Sequence, residues 1–199
     1  MTGSATSPKT GLIERDRSCL VVIDVQKFFL DKLPLDQRQP LVDRIGWIMR
    51  VATALAIPII ATAEDSAHDG PLVPDLAGLL PKGQTVFNKM VFGLAGQPDI
   101  RATIEGSRCD TFVLVGLETD VCVAHSAFGL RDLGNRTVVI SDATGSPPPY
   151  HEAGLARLRD AGITVTTVKG LYYEWVRDLA THARVKAAIN QPSPYGLTL

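Results

Sequence analysis

Three residues that can do chemistry, Asp24, Lys89 and Cys122, stand at equivalent points in the pattern of this sequence. Cys122 lies in the stretch 113–127, VLVGLETDVCVAHSA. The apolar, β-branched run 111–115 reads as a buried strand, ended by Gly116. Thr119 and Asp120 are both good helix N-caps, and Val121, Ala124, Phe128 and Leu133 recur at roughly helical spacing. Cys122 is therefore expected in the first turn of a helix that follows a strand. Free backbone N–H groups and the positive end of the helix dipole favour a thiolate there. The same N–H groups can hold an oxyanion formed when sulfur attacks a carbonyl. The plain alternative is a small buried hydrophobe that happens to be cysteine.

Asp24 ends the buried run SCLVVI (18–23), and Lys89 ends a short candidate strand at 86–88. Lys89 is flanked by Val86, Phe87, Met90, Val91 and Phe92, and an ammonium in that setting needs a partner. In a parallel sheet all strand exits share one edge, so the three residues can converge. The chemistry of such a group is coherent. Cys122 is the nucleophile, Lys89 supplies charge that favours the thiolate, and Asp24 accepts the thiol proton and hands it to a leaving amine. His125, three residues after the cysteine, would point along the helix and is a poor partner for it. Phe28, Phe92 and Trp175 are candidates for lining the pocket, with ordinary packing as the alternative.

The elements that must position these residues alternate. Residues 39–55 carry apolar positions at helical spacing, and 58–61 form a second short strand whose exit bears Glu64, Asp65 and His68. Residues 31–36 and 66–85 read as loops. A helix at 98–105, the strand at 111–115 and the helix at 120–133 follow. A strand at 136–140 then exits through Ser141, Asp142 and Ala143 into a rigid turn of Gly145 and three prolines. A helix at 150–161, a strand at 163–168 and helices at 171–176 and 180–189 complete the chain. Strands alternating with helices predict an α/β fold with a mostly parallel six-stranded sheet covered on both faces.

Composition narrows the function. The chain has 199 residues, 45% hydrophobic and 21% charged, which suits one domain with a sizeable core. A net charge of -1 with no basic stretch gives no reason to expect nucleic acid. No apolar run approaches the roughly 18–20 residues that span a bilayer, and the first residues lack the apolar core of a signal peptide. Three cysteines without C-x-x-C spacing argue against a disulfide framework or zinc ribbon, and for a reducing cytoplasm. GLLPKGQT (78–85) has Gln84 where a phosphate loop needs lysine, and no strand leads into it. No G-x-G-x-x-G follows the first strand, which speaks against a dinucleotide cofactor.

The segments VVIDVQKFF (21–29), FNKMVF (87–92) and VGLETDVCV (115–123) resemble the three signature regions of the isochorismatase-like cysteine hydrolase superfamily. The resemblance spans about residues 15–190, leaving an N-terminal arm at 1–14, expected to be flexible, and a tail at 191–199. It implies a Rossmann-like three-layer α/β/α sandwich, a homo-oligomer, and an Asp-Lys-Cys triad on Asp24, Lys89 and Cys122. It also implies a non-proline cis peptide at Leu117–Glu118 and an oxyanion hole made by the amides of Glu118 and Cys122. Nicotinamidases of the superfamily bind a metal through Asp-x-His and a further His. Here that region reads ATAEDSAHDGP, so no metal is expected. The presence of Cys122 argues against vinyl-ether cleavage, since true isochorismatases lack the nucleophile. The resemblance thus points to the metal-free branch, whose expected activity is hydrolysis of a small amide or other carbon–nitrogen substrate through a thioester. A catalytically idle ligand-binding or scaffold member is the alternative.

Overall fold

A computed structural model describes residues 11–199. Six strands, β1 (Ser18–Ile23), β2 (Ile59–Glu64), β3 (Val86–Lys89), β4 (Thr111–Leu117), β5 (Arg136–Gly145) and β6 (Thr164–Thr166), form one sheet in the order β3-β2-β1-β4-β5-β6. Every pairing is parallel. The connections carry α1 (Lys27–Leu30), α2 (Leu35–Ala54), α3 (Pro74–Ala77), α4 (Pro98–Glu105), α5 (Ala124–Asp132), α6 (Tyr150–Asp160), α7 (Val168–Val176) and α8 (Leu179–Ile189). This is the three-layer α/β/α architecture expected from the alternation.

The strands read as unbroken apolar runs because helices cover both faces of the sheet. Period-two alternation sends Leu20, Val22, Val113, Val115, Val138 and Ile140 to the face packed by α2, α7 and α8. Val21, Ile23, Phe112, Leu114 and Val139 go to the other face, under α4, α5 and α6. The strand order reverses between β1 and β4. In sheets of this kind ligands bind outside the carboxyl ends of the strands at such a switch point.

At the switch point β1 and β4 approach closely. Gly116 pairs with Ile23 at φ +120°, and a Cβ there would stand 2.0 Å from the Ile23 carbonyl oxygen. Gly116→Ala is therefore expected to cost at least about 3 kcal/mol of stability, from the clash and the strained backbone together. Chemical denaturation checks this, and a loss under about 1 kcal/mol would refute the tight approach.

Several segments differ from the sequence-based expectation for local reasons. Residues 1–10 of the expected arm lie outside the described residues. From Gly11 the chain is tied down rather than loose: Arg136 donates to the carbonyls of Gly11 (2.6 Å) and Leu12 (2.8 Å), and Ile13 is fully buried. The helix α2 starts at Leu35 rather than Gln39, with Pro40 inside it. The strand β5 runs on through Ser141 and Asp142, because Ser141 Oγ donates to the Thr166 carbonyl (3.1 Å) and Asp142 Oδ1 accepts from the Val168 amide (2.7 Å). From Gln191 the tail is irregular, as expected, though Leu197 is buried.

Candidate active site

Asp24, Lys89 and Cys122 come from three separate strand ends and meet at the carboxyl edge beside the switch point. Asp24 follows β1 in the left-handed region at φ +50°. Aspartate tolerates that region better than most residues. Lys89 is the last residue of β3, an edge strand, and pairs in register with Glu64 at the end of β2. Cys122 lies in a π-helical turn, Thr119–Val123, between β4 and α5.

The geometry is that of a buried charge cluster. Asp24 and Lys89 are fully buried, and Cys122 nearly so. Lys89 Nζ donates to Glu64 Oε2 (3.0 Å), to the Val91 carbonyl (2.8 Å) and, at 3.7 Å, to Cys122 Sγ. Asp24 Oδ2 lies 2.9 Å from Nζ in a fully buried ion pair, while Thr62 Oγ1 donates to Asp24 Oδ1 (2.7 Å). The Cys122 thiol donates to Glu64 Oε2 at 3.0 Å.

Glu64 is the residue that the sequence reading placed at a strand exit without giving it a role. Its signal was there: three chemistry-bearing residues marked strand exits, and Glu64 marks the exit between two of them. Its backbone is clamped by the buried Gln26 side chain. Gln26 Oε1 accepts from the Glu64 amide, and Gln26 Nε2 donates to the Glu64 carbonyl, each at 2.7 Å.

The electrostatics follow from two carboxylates facing one ammonium. Burial pushes the Asp24 pKa above the ordinary carboxylate value, partly offset by Lys89 and Thr62. Burial works against the Lys89 ammonium, but the Asp24 carboxylate, then Cys122 and Glu64, outweigh it and hold Lys89 above the usual lysine value. Burial and the neighbouring Asp24 charge push the Cys122 thiol well up, with Lys89 only partly offsetting them and the bond to Glu64 adding to the rise. The resting sulfur is therefore a thiol. The sequence reading expected a thiolate from the helix N-terminus and the lysine; burial of the sulfur and the Asp24 charge outweigh them.

Another cysteine behaves differently. Cys109, half-buried before β4, has its pKa lowered to about 7, chiefly by a hydrogen bond from Cys19. Iodoacetamide at pH 7 is thus expected to label Cys109 well ahead of Cys122 in the folded protein, as peptide mapping would show. Faster labelling of Cys122 would contradict the charge balance described above.

The turn bearing Cys122 is fixed from α6 and from the segment between β5 and α6. Thr119 Oγ1 and His151 Nδ1 are 2.8 Å apart, and Ser146 Oγ donates to Asp120 Oδ1 (2.6 Å). Gly154 allows this packing, since a Cβ there would stand 2.9 Å from the Asp120 backbone. Thr119 and Asp120 thus brace the turn from outside, and the N-cap position falls to Glu118 without a side-chain cap. The Glu118 carbonyl accepts from the amides of Val121 (3.2 Å) and Val123 (3.1 Å), on either side of Cys122. The Leu117–Glu118 peptide is cis.

The pocket candidates separate. Phe28, on α1 after Asp24, is 44% exposed with its ring against His68, and Phe92, after Lys89, is 54% exposed with its ring against His125. His125 thus turns to Phe92. Trp175 is not brought to the site: it is fully buried, and its indole N–H donates to Ser18 Oγ (3.2 Å) at the opposite, amino end of β1. Its size and apolar face fill the core under α7.

Ligand atoms of Asp24, Glu64 and Cys122 lie within 4.8 Å of one another, a spacing that suits a metal ion. Lys89 Nζ stands among them and supplies the positive charge, so a divalent cation would have to displace a buried ammonium. Among the described residues no helix is long and apolar enough to cross a membrane.

Known proteins resemble this chain in sequence and in fold. The chain is 30% identical over 197 residues to isochorismatase domain-containing protein 2 of Bos taurus, covering 96% of this chain and 92% of that one. Among solved structures it resembles a MAR1 ribonuclease from Caenorhabditis elegans (TM-score 0.81, 24% identity, 94% and 98% of the two chains). It also resembles the YcaC gene product of Escherichia coli, described as an octameric hydrolase of unknown specificity (TM-score 0.78, 22% identity, 92% of each chain). Residues 18–170 match the isochorismatase domain, and the chain belongs to that family.

Proposed function

We propose that the protein is a cysteine-dependent hydrolase of a small amide or related carbon–nitrogen compound, working through a thioester on Cys122. The observation that carries this reading is the buried contact of Lys89 Nζ with Asp24, Glu64 and the Cys122 sulfur at the switch point of the sheet. An ammonium kept dry at that cost, with a cysteine against it, is arranged for charge stabilisation during attack. Cys122 attacks the carbonyl carbon, and the amides of Glu118 and Cys122 hold the oxyanion. The carboxylates receive the thiol proton and return it to the departing amine. Water then releases the acid. Phe28 and Phe92 border the entrance.

We also infer a homo-oligomer in a reducing, cytoplasmic setting. Exposed Phe28, Met90, Val91 and Phe92 near the site favour association, and three free cysteines favour the compartment. The resting thiol is the one observation favouring an idle binding member instead. Ammonia release from a panel of small primary amides and carbamoyl compounds, with hydroxylamine present to trap any thioester as a hydroxamate, decides between them. Release with trapping on Cys122 supports the hydrolase; neither release nor any Cys122 adduct across the panel overturns it.

A further inference from the structure

The proposed hydrolysis uses Cys122 and leaves Cys19 and Cys109 without a role. Those two lie together at the other end of β1 and β4. Cys19 is the second residue of β1, buried on the face under α4, α5 and α6. Cys109 lies in the irregular segment between α4 and β4, half-buried and packed against the same face. The Cys109 thiol donates to the Ser18 carbonyl at 3.3 Å, and its sulfur accepts a hydrogen bond from Cys19. The seven residues of β4, about 20 Å of strand, separate this pair from the turn that bears Cys122.

The two sulfurs are not equivalent. Solvent reaches Cys109, whereas Cys19 is 1% exposed. The bond from Cys19, then the Ser107 hydroxyl and the Arg108 charge, favour the Cys109 thiolate, which is the form that attacks an oxidant. We infer that Cys19 and Cys109 form a redox-active pair: a peroxide oxidises Cys109, Cys19 resolves it as a reversible disulfide, and Cys122 stays reduced. The Cys109 thiolate attacks one oxygen of hydrogen peroxide. An S–O bond forms, the O–O bond breaks, and the departing hydroxide takes up the proton that Cys109 had released. Cys109 is then a sulfenic acid. The Cys19 sulfur attacks the Cys109 sulfur, so that the S–S bond forms as the S–O bond breaks, and hydroxide leaves as water with the Cys19 proton. The sum is two thiols and hydrogen peroxide giving a disulfide and two waters. The hydrogen bond to Cys109, then burial, hold Cys19 as a thiol at rest; oxidation of Cys109 removes the negative charge to which that bond is made. The pairing of β1 with β4 begins at Ser18 and Thr111. Cys109 precedes it and can close an S–S bond of about 2 Å without breaking that register. In a reducing compartment such a disulfide is transient, which suits a site that registers oxidant.

Hydrogen peroxide added to the folded full chain at pH 7 tests this, with the remaining thiols counted in denaturant and the peptides mapped without reduction. The three thiols should fall to one, with Cys19 joined to Cys109 and Cys122 still free, and dithiothreitol should restore all three. In Cys109→Ser both remaining thiols should survive the same exposure. In Cys19→Ala the oxidised Cys109 should persist as a sulfenic acid that dimedone traps. Loss of Cys122 ahead of Cys109 would overturn the inference, as would survival of all the thiols in peroxide that oxidises free glutathione. So would a Cys109 that goes on to sulfinic acid, or links two chains, while Cys19 stays free. None of these outcomes bears on amide hydrolysis by Cys122, in which neither sulfur of the pair takes part.

Discussion

Cys122→Ala is expected to lower hydrolysis of any true substrate by at least about 10⁴-fold while leaving the protein folded. The size of the effect follows from the role. Without the sulfur no covalent intermediate forms, and residual catalysis comes only from the oxyanion donors and from binding. The fold should tolerate the change, because the ion cluster of Asp24, Lys89 and Glu64 keeps its charges and only the Lys89–sulfur contact and the thiol's bond to Glu64 are lost. Loss of one buried sulfur costs about 1 kcal/mol or somewhat more, as for other small deletions in a core. The pairing of a lost rate with a kept thermal transition is what distinguishes a nucleophile from a packing residue. Unchanged turnover in this variant would refute the mechanism at its first step.

The second large effect is on stability. Lys89→Met keeps the length and apolar stem of the side chain but removes the ammonium between two carboxylates. Leaving a buried charge without its partner costs roughly 3–5 kcal/mol, which for a chain of this size lowers the melting temperature by roughly 10 °C. The pH dependence identifies the cause. Burial already raises the Asp24 pKa with Lys89 present, and without Lys89 it rises further. A carboxyl whose folded pKa lies above its unfolded value contributes stability that is present below the unfolded pKa and lost as pH rises through the folded pKa. The deficit of Lys89→Met relative to wild type should therefore be largest near neutral pH and shrink toward pH 4. Adding Asp24→Asn should recover much of it. A deficit that is equal at every pH would mean that packing of the stem, and not charge, is what Lys89 supplies. In the wild type the sign runs the same way for Lys89: its raised pKa contributes stability below the ordinary lysine value that is lost as pH climbs through the higher folded one.

The positions of Asp24, Lys89 and Cys122 were legible because an apolar run buried on both faces has a visible end. β1 was legible to the residue for that reason. The start of α2 was not, because its first residues, Leu35 and Asp36, are exposed and Pro40 looks like an opening residue while sitting inside the helix. The polar residues after Ile140 looked like a strand exit; their hydrogen bonds to the neighbouring strand and to α7 let β5 continue. At the site itself, the protonation state of Cys122 was not legible. It depends first on how deeply the sulfur is buried and then on the Asp24 charge beside it, a group distant in sequence. Trp175 was misplaced because an aromatic residue near the end of a chain carries no mark of which end of the sheet it packs against.

The central pairing of β1 with β4 sets Ser18 beside Thr111, across most of the first half of the chain. Contacts so distant in sequence form late, since the loop must close before they repay its entropy. In the unfolded chain Cys122 is an ordinary thiol titrating near about pH 8.5; in the finished protein it is held well above that. Folding therefore passivates the sulfur proposed as the nucleophile. A newly made chain carries three ordinary thiols until the sheet closes, and completion of the fold quiets the one at the switch point while leaving Cys109 the readier to react.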